Sequence, residues 1–181
     1  MTSSTDDTVF HKLLREQIAN EFAASQQYIA VAIHYDGHDM PQLAKHFYAQ
    51  AVEERNHAMM IVQYFLDRDV AVEIPGVPAP RTDFADYREP IELALAQEKS
   101  VTEQIVDLAR AARDCGDYLG EQFLQWFLKE QVEEVASMTT LLTIVRRAGD
   151  DLFHVEDFVA RELARGDAAD ATAPAAAGGA L

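Results

Sequence analysis

Polar side chains interrupt four rows of apolar residues that otherwise repeat every seven positions. Residues seven apart lie two turns along one face of a helix. The positions at the centre of each row would therefore normally belong to an apolar core, but here they carry three carboxylates and one amide. The rows are Leu14, Glu21 and Tyr28; Phe47, Glu54 and Ile61; Ile91, Glu98 and Ile105; and Leu124, Gln131, Met138 and Val145.

The interruptions recur along the chain and indicate two related helical hairpins. The interval between Glu21 and Glu54 is repeated between Glu98 and Gln131. The first hairpin carries a Glu-x-x-His motif ending at His57, and the second carries Gln-x-x-Glu at the corresponding place. Residues three apart share a helix face and can hold one ion, or flank two neighbouring ions. Each hairpin would thus supply one single carboxylate and one such pair.

The charge of these positions favours a metal site. Burying an uncompensated carboxylate costs several kcal/mol, and the rows contain no Lys or Arg. Divalent cations between the helices would supply the missing charge. An oxygen-rich set with one imidazole and no thiolate suits iron or manganese better than structural zinc, so we predict a two-metal carboxylate site. A buried polar network, or carboxylates that face solvent, remain the alternatives.

Composition limits the class of protein. A chain of 181 residues with 49% hydrophobic content fits one domain and excludes a disordered chain. The net charge of −16 argues against a nucleic-acid partner and suits attraction of cations. No stretch approaches the roughly 20 apolar residues that cross a bilayer, and residues 1–7 lack a signal-peptide core, so we expect a cytoplasmic protein without a membrane partner. Cys115 is the single cysteine, which excludes a disulfide framework.

Helix-capping residues and prolines divide the chain into four long helices and a short one. Asp7 or Thr8 can cap the first helix, and Asp39 with Pro41 opens the second. Pro90 suits the first position of the third helix. The long helices end at about Tyr35, Asp67, Asp114 and Gly149, and the short fifth helix covers about residues 151–164.

The connections complete the predicted fold. The proline-rich segment 68–89 is long enough to run the length of a bundle, which would place helix three parallel to helix two. Residues 165–181 are rich in Ala, Gly and Asp and show no core pattern, so we predict a flexible tail after a single domain over residues 1–164. The predicted fold class is all-α, a four-helix bundle with a long crossover and a short fifth helix.

Local motifs carry a resemblance to a known family. The chain closely resembles the non-haem bacterial ferritins, those of mycobacteria above all, over nearly its whole length. The resemblance implies a ferritin-like form of the bundle. Its motifs are Glu16-Gln17-x-x-Asn20-Glu21, Val52-Glu53-Glu54-Arg55-Asn56-His57, Glu98, Phe123-Leu124-Gln125-Trp126-Phe127 and Glu130-Gln131-x-Glu133-Glu134.

The resemblance implies a role for each interrupted position. Glu21 and His57 would bind a first iron, and Glu54 would bridge to a second. Glu98 would bind the second iron, with Gln131 beside the site. A third iron site toward the inner surface would use four acidic residues, Glu53, Glu130, Glu133 and Glu134.

The same resemblance implies the activity. Two Fe(II) ions would be oxidised by O2 or H2O2 at the di-iron site, and the Fe(III) would be stored as a ferric oxide mineral inside a 24-mer shell. Tyr28 would hydrogen-bond a ligand or donate an electron, or would simply pack in the core. Haem is not expected, because haem-binding bacterioferritins have Met directly after the bridging Glu and a second Glu-x-x-His. Arg55 and Gln131-x-x-Glu134 stand at those places here.

Two other classes of function remain open. A di-iron oxidase or peroxidase of the rubrerythrin kind would use the same bundle without a mineral. A metal-free helical interaction protein would have to bury the carboxylates without counter-charge. Asp117 and Glu121 also have two interpretations: they either guide Fe(II) through a channel or are acids favourably placed at a helix N-terminus, and we prefer the second.

Overall fold

The computed structural model describes residues 8–163 and 170–181. Its helices confirm the predicted all-α bundle with a short fifth helix, and each long helix ends within a residue or two of the predicted place. No described helix is long and apolar enough to cross a membrane. The helices are α1 Val9–Asp36, α2 Pro41–Asp67, α3 Glu89–Asp114, α4 Tyr118–Ala148 and α5 Leu152–Phe158, which continues as a π-helical turn over Val159–Leu163.

Side-chain caps fix the starts of α1 and α4. The Thr8 hydroxyl accepts a hydrogen bond from the backbone N–H of His11 at 3.2 Å. Asp117 accepts from the backbone N–H of Gly120 at 2.9 Å. Each cap satisfies a backbone donor that has no partner within its own helix. Asp7, the other predicted cap of α1, lies outside the described residues.

The start of α2 differs from the prediction. Asp39 lies in the preceding turn with a positive φ of 57°, and the capping position, Met40, makes no side-chain hydrogen bond to the helix. Glu156 of α5 takes that role, because its carboxylate accepts from the backbone N–H groups of Gln42 at 2.8 Å and Leu43 at 2.9 Å. The fifth helix is therefore anchored to the bundle through the start of α2.

The bundle buries one polar layer between two apolar clusters. Tyr28, Phe47 and Ile91 belong to the cluster nearer α5, and Ile61 and Ile105 belong to the cluster at the other end. No residue of the four interrupted rows is more than 4% exposed. The helix phases inferred from the seven-residue repeat are thus correct, and the alternative of carboxylates that face solvent is excluded.

The described end of the chain lies against α2 and α4. Asp170 accepts from the indole N–H of Trp126 at 3.0 Å, the backbone N–H of Ala177 donates to the carbonyl of Met59 at 3.0 Å, and Leu181 pairs with Asn56. Nothing in the Ala- and Gly-rich composition indicated this position. Residues 165–169 of the predicted tail lie outside the described residues, and the domain boundary at residue 164 stays a prediction.

Candidate metal centre

Three of the predicted ligands meet at the middle of the bundle. Glu21 of α1 and Glu54 and His57 of α2 each offer one ligand atom, and these atoms lie within 4.8 Å of one another. His57 Nδ1 is 3.4 Å from Glu54 Oε2. All three side chains are buried. Within residues 8–163 and 170–181, this is the one group of three or more His, Cys, Asp and Glu side chains that meets this spacing.

The second hairpin places Glu98 and Gln131 beside this group. The Tyr28 hydroxyl donates to Glu98 Oε1, and Gln131 Nε2 lies 3.5 Å from Glu98 Oε2. Gln131 is held in turn by Thr102, whose hydroxyl donates to Gln131 Oε1 at 2.9 Å. Tyr28 is also completely buried and packs against the Phe47 ring, so it combines a core position with a hydrogen bond to Glu98. Its role toward a metal ligand stays a prediction.

Burial sets the protonation of the carboxyl groups in the centre. It raises the pKa of Glu21 and of Glu54 well above the ordinary value, and the neighbouring carboxylate charge raises each further. Burial also raises the pKa of Glu98, although the hydrogen bonds from Tyr28 and Gln131 oppose the rise. A metal ion would reverse this effect, since a nearby positive charge favours the ionised carboxylate.

Two oxygen atoms in the centre suit a metal ion. Glu21 Oε2 and Glu54 Oε2 are buried, and no donor group among the described residues forms a hydrogen bond of normal geometry to either oxygen. The two carboxyl groups instead lie close enough to each other to share a proton. A buried carboxylate oxygen without a partner costs free energy, and a cation would remove that cost. These oxygens lie beside the His57 imidazole and a third carboxylate, that of Glu98, and this donor set fits iron or manganese.

The four residues of the predicted third site run from the interior to the surface. Glu134 is buried, Glu130 is half-buried, and Glu53 and Glu133 are exposed. Burial raises the pKa of Glu134 well above its ordinary value, and the charges of Glu98, Glu53 and Glu130 add to this. Glu133 lies 3.5 Å from the ammonium of Lys129. Metal binding by these four residues stays a prediction.

The other acidic candidates have structural partners. Asp117 caps α4 and forms an ion pair with Arg68 at 3.2 Å. Glu121 forms an ion pair with Arg113. These contacts support the preferred interpretation of both residues as helix-start acids, while a channel role stays untested.

Sequence reasoning missed the amide and hydroxyl side chains that hold the ligands. Gln17 donates to Glu21 Oε1 at 2.9 Å, Thr102 holds Gln131, and Gln50 donates to Glu53 and also hydrogen-bonds to Glu134. A search one turn from each predicted ligand would have found Gln17, Thr102 and Gln50, because residues four apart are neighbours on a helix.

Comparison with known proteins identifies the family. A model of the ferritin-like domain, described as Ferritin, matches residues 11–148. The chain belongs to the ferritin family. It is 67% identical to "Ferritin BfrB" of Mycolicibacterium smegmatis over 97% of this chain and 96% of that protein. It is 60% identical to "Ferritin BfrB" of Mycobacterium tuberculosis over 96% of each. The resemblance to mycobacterial ferritins is thus confirmed.

Solved ferritin structures share the fold. An open-pore ferritin from Archaeoglobus fulgidus superposes with a TM-score of 0.82 at 25% identity, covering 87% of this chain and 96% of that one. A variant of PmFTN soaked in iron superposes with a TM-score of 0.79 at 27% identity, covering 84% and 98%. The predicted ferritin-like bundle is therefore confirmed, as is the prediction that this chain is an iron-storage ferritin.

Proposed function

We propose that this ferritin oxidises Fe(II) at the buried centre and stores the ferric product. Glu21, Glu54, His57 and Glu98 would bind the iron, with Gln131 at the edge of the centre. The observation that carries the proposal is the meeting of three buried ligand groups with two oxygens to which no donor group forms a hydrogen bond of normal geometry among the described residues. Burying ionised carboxylates together is unfavourable without a cation, and a bound cation would supply the missing positive charge.

The residues of the centre divide into two sides. Glu21 and His57 would hold one iron on the α1–α2 side, and Glu98 would hold the other on the α3 side. Glu54 would be shared between the two sides, as the family resemblance implies. Its ligand atom lies within 4.8 Å of those of Glu21 and His57, and the charge of Glu98 raises its pKa, which supports this role. A single carboxylate would thus contact both ions, which is the usual way in which two-metal sites bring ions within a few Å.

Oxidation follows from this ligand set. Two Fe(II) ions release two electrons, which together with two protons reduce O2 to H2O2 or H2O2 to water. Anionic oxygen ligands stabilise Fe(III) over Fe(II) and favour the reaction. Burial raises the pKa of Glu21 and Glu54 and favours their protonated forms, and iron binding would displace these protons, since metal ligands must be deprotonated.

Storage requires that the product leaves the centre. Glu134 is buried, Glu130 is half-buried and Glu53 is exposed, and the charges of Glu53 and Glu130 raise the pKa of Glu134. Carboxylates at these three depths would suit iron that moves outward through a third site. A 24-mer shell and a cytoplasmic location remain parts of the proposal that derive from the family resemblance and the sequence. Haem forms no part of it.

Glu98→Gln tests the oxidation proposal directly. Loss of the carboxylate should weaken binding of the second iron and slow the initial oxidation of two Fe(II) per chain by about 10-fold to 100-fold. Stopped-flow absorbance of Fe(III) would measure the rate, and Glu103→Gln, an exposed glutamate on the same helix, provides the matched control. Oxidation by the unaltered protein no faster than in buffer alone would refute the proposal.

A further inference from the structure

Three amide side chains connect α3 to the Glu21 carboxylate. Gln104 Oε1 on α3 accepts a hydrogen bond from Asn20 Nδ2 at 3.1 Å. The same Asn20 amide donates to Gln17 Oε1 at 3.1 Å. Gln17 Nε2 then donates to Glu21 Oε1 at 2.9 Å. The connection, hereafter the amide relay, is formed by Gln104, Asn20 and Gln17.

The relay has one favourable direction. An amide has a donor side and an acceptor side, and the ionised carboxylate that would bind a metal ion only accepts. Because Asn20 Nδ2 occupies Gln17 Oε1, the Gln17 NH2 group must face Glu21. Turning the Gln17 amide over would set its oxygen against the carboxylate and its NH2 group against that of Asn20, and would break both hydrogen bonds.

The relay makes the two oxygens of Glu21 inequivalent. Oε1 is held by Gln17, whereas Oε2 is buried and no donor group in the described part of the chain forms a hydrogen bond of normal geometry to it. Glu21 is also the one ligand of the three-residue group that α1 supplies, since Glu54 and His57 both come from α2. The position of Glu21 relative to the other ligands therefore depends on what holds it.

We propose that the amide relay positions Glu21 as a one-oxygen ligand, by fixing Oε1 and presenting Oε2 to the first metal ion. Gln17 is the positioning residue, and Asn20 and Gln104 fix its direction. The proposal deepens the proposed function and rests on the metal centre described there. It assigns a role in metal binding to three residues that contact no metal themselves.

The chemistry of the relay suits this role. A neutral amide can hold a carboxylate without adding a positive charge that would repel the metal ion. Hydrogen-bond partners of metal ligands fix the orientation of those ligands, and their loss typically lowers metal affinity about 10-fold to 100-fold. A Lys or Arg at position 17 would hold Glu21 equally firmly but would compete with the cation.

The surroundings of the relay permit substitutions that remove the hydrogen bonds without crowding. Asn20 and Gln104 line a cavity of about 230 Å³ between α1, α3 and the crossover segment. A leucine at either place has room to adjust its rotamer. Gln17 is buried, and leucine is close to glutamine in size, so Gln17→Leu keeps the packing while it removes the donor.

The experiment is anaerobic titration of the full-length protein with Co(II), followed by its visible absorption. Gln17→Leu should lower the affinity of the first Co(II) about 10-fold to 100-fold and alter the absorption bands, because the coordination of Glu21 changes. Asn20→Leu and Gln104→Leu should change both readouts in the same direction, to a smaller extent. Circular dichroism checks that each variant is folded.

Gln63→Leu provides the matched control. Gln63 Nε2 donates to the carboxylate of Asp67 at 2.6 Å with the same spacing of four residues, but on an exposed face of α2. Loss of this hydrogen bond should leave both the Co(II) affinity and the absorption spectrum unchanged. Any effect confined to the relay variants therefore reports on the centre and not on a generic Gln–carboxylate pair.

The possible results separate the relay from the centre. A parent protein that binds no Co(II) in the bundle would overturn the proposed centre, and the relay with it. A parent that binds Co(II), with relay variants that match it in affinity and spectrum, would overturn the relay alone. If Gln17→Leu is unfolded, Asn20→Leu and Gln104→Leu decide the question by the same criteria.

Discussion

Glu54→Gln is expected to slow the initial oxidation of Fe(II) about 100-fold or more, equivalent to about 2.7 kcal/mol of lost transition-state stabilisation. In the proposed function Glu54 would contact both ions, so its neutral replacement should weaken binding at both iron positions. The effect should exceed that of Glu98→Gln, which affects the second position. Stopped-flow absorbance under the same loading measures both variants.

The comparison also separates this function from a metal-free one. In a helical interaction protein, Glu54 would be a buried charge of no chemical use, and Glu54→Gln would change no reaction. Glu103→Gln again serves as the control for a lost surface charge. An oxidation rate in Glu54→Gln within a factor of about two of the parent rate would contradict the proposed role of Glu54.

The metal-free protein should lose stability, relative to its Glu54→Gln variant, as the pH rises from about 4 through the raised pKa of Glu54. Burial raises the pKa of Glu54 in the folded state, so the folded chain holds a proton that the unfolded chain releases over this interval. Stabilisation by the protonated carboxyl is complete below the unfolded pKa and disappears as the pH rises through the folded pKa. Glutamine does not titrate, so the free energy of unfolding of the variant does not fall in this way.

Urea unfolding in the presence of a chelator tests this prediction. Parent and variant should be similar near pH 4, and the variant should be the more stable of the two near pH 8. Addition of Co(II) at pH 8 should reverse the order, because the metal binds the folded parent and stabilises it by mass action. If the difference in stability between parent and variant does not vary with pH, the pKa of Glu54 is not raised in the folded protein.

The seven-residue rows explain why so much of the centre could be predicted from sequence. A row such as Leu14, Glu21 and Tyr28 determines which face of the helix is buried, and the polar residue must share that face. All members of the rows are buried as expected. Pro41 and Pro90 marked helix starts through local backbone preferences, which act within a few residues and need no knowledge of the tertiary structure.

The features that sequence reasoning missed depend on contacts between distant segments. Glu156 caps α2 although it lies on α5, so no local pattern around Asp39 could indicate it. The relay joins Asn20 to Gln104 across two helices, and amides on half-exposed faces look like ordinary solvated residues. The contacts of Asp170 with Trp126 come from a segment that has no hydrophobic period at all.

The most direct test of the proposed storage function is the amount of iron retained per chain after aerobic loading with Fe(II) and desalting. The particle mass is recorded by light scattering in the same run. We predict many more than two iron atoms per chain, on a particle many times heavier than the 20.2 kDa chain. About two iron atoms per chain on a small oligomer would contradict storage and would indicate a di-iron oxidase built on the same bundle.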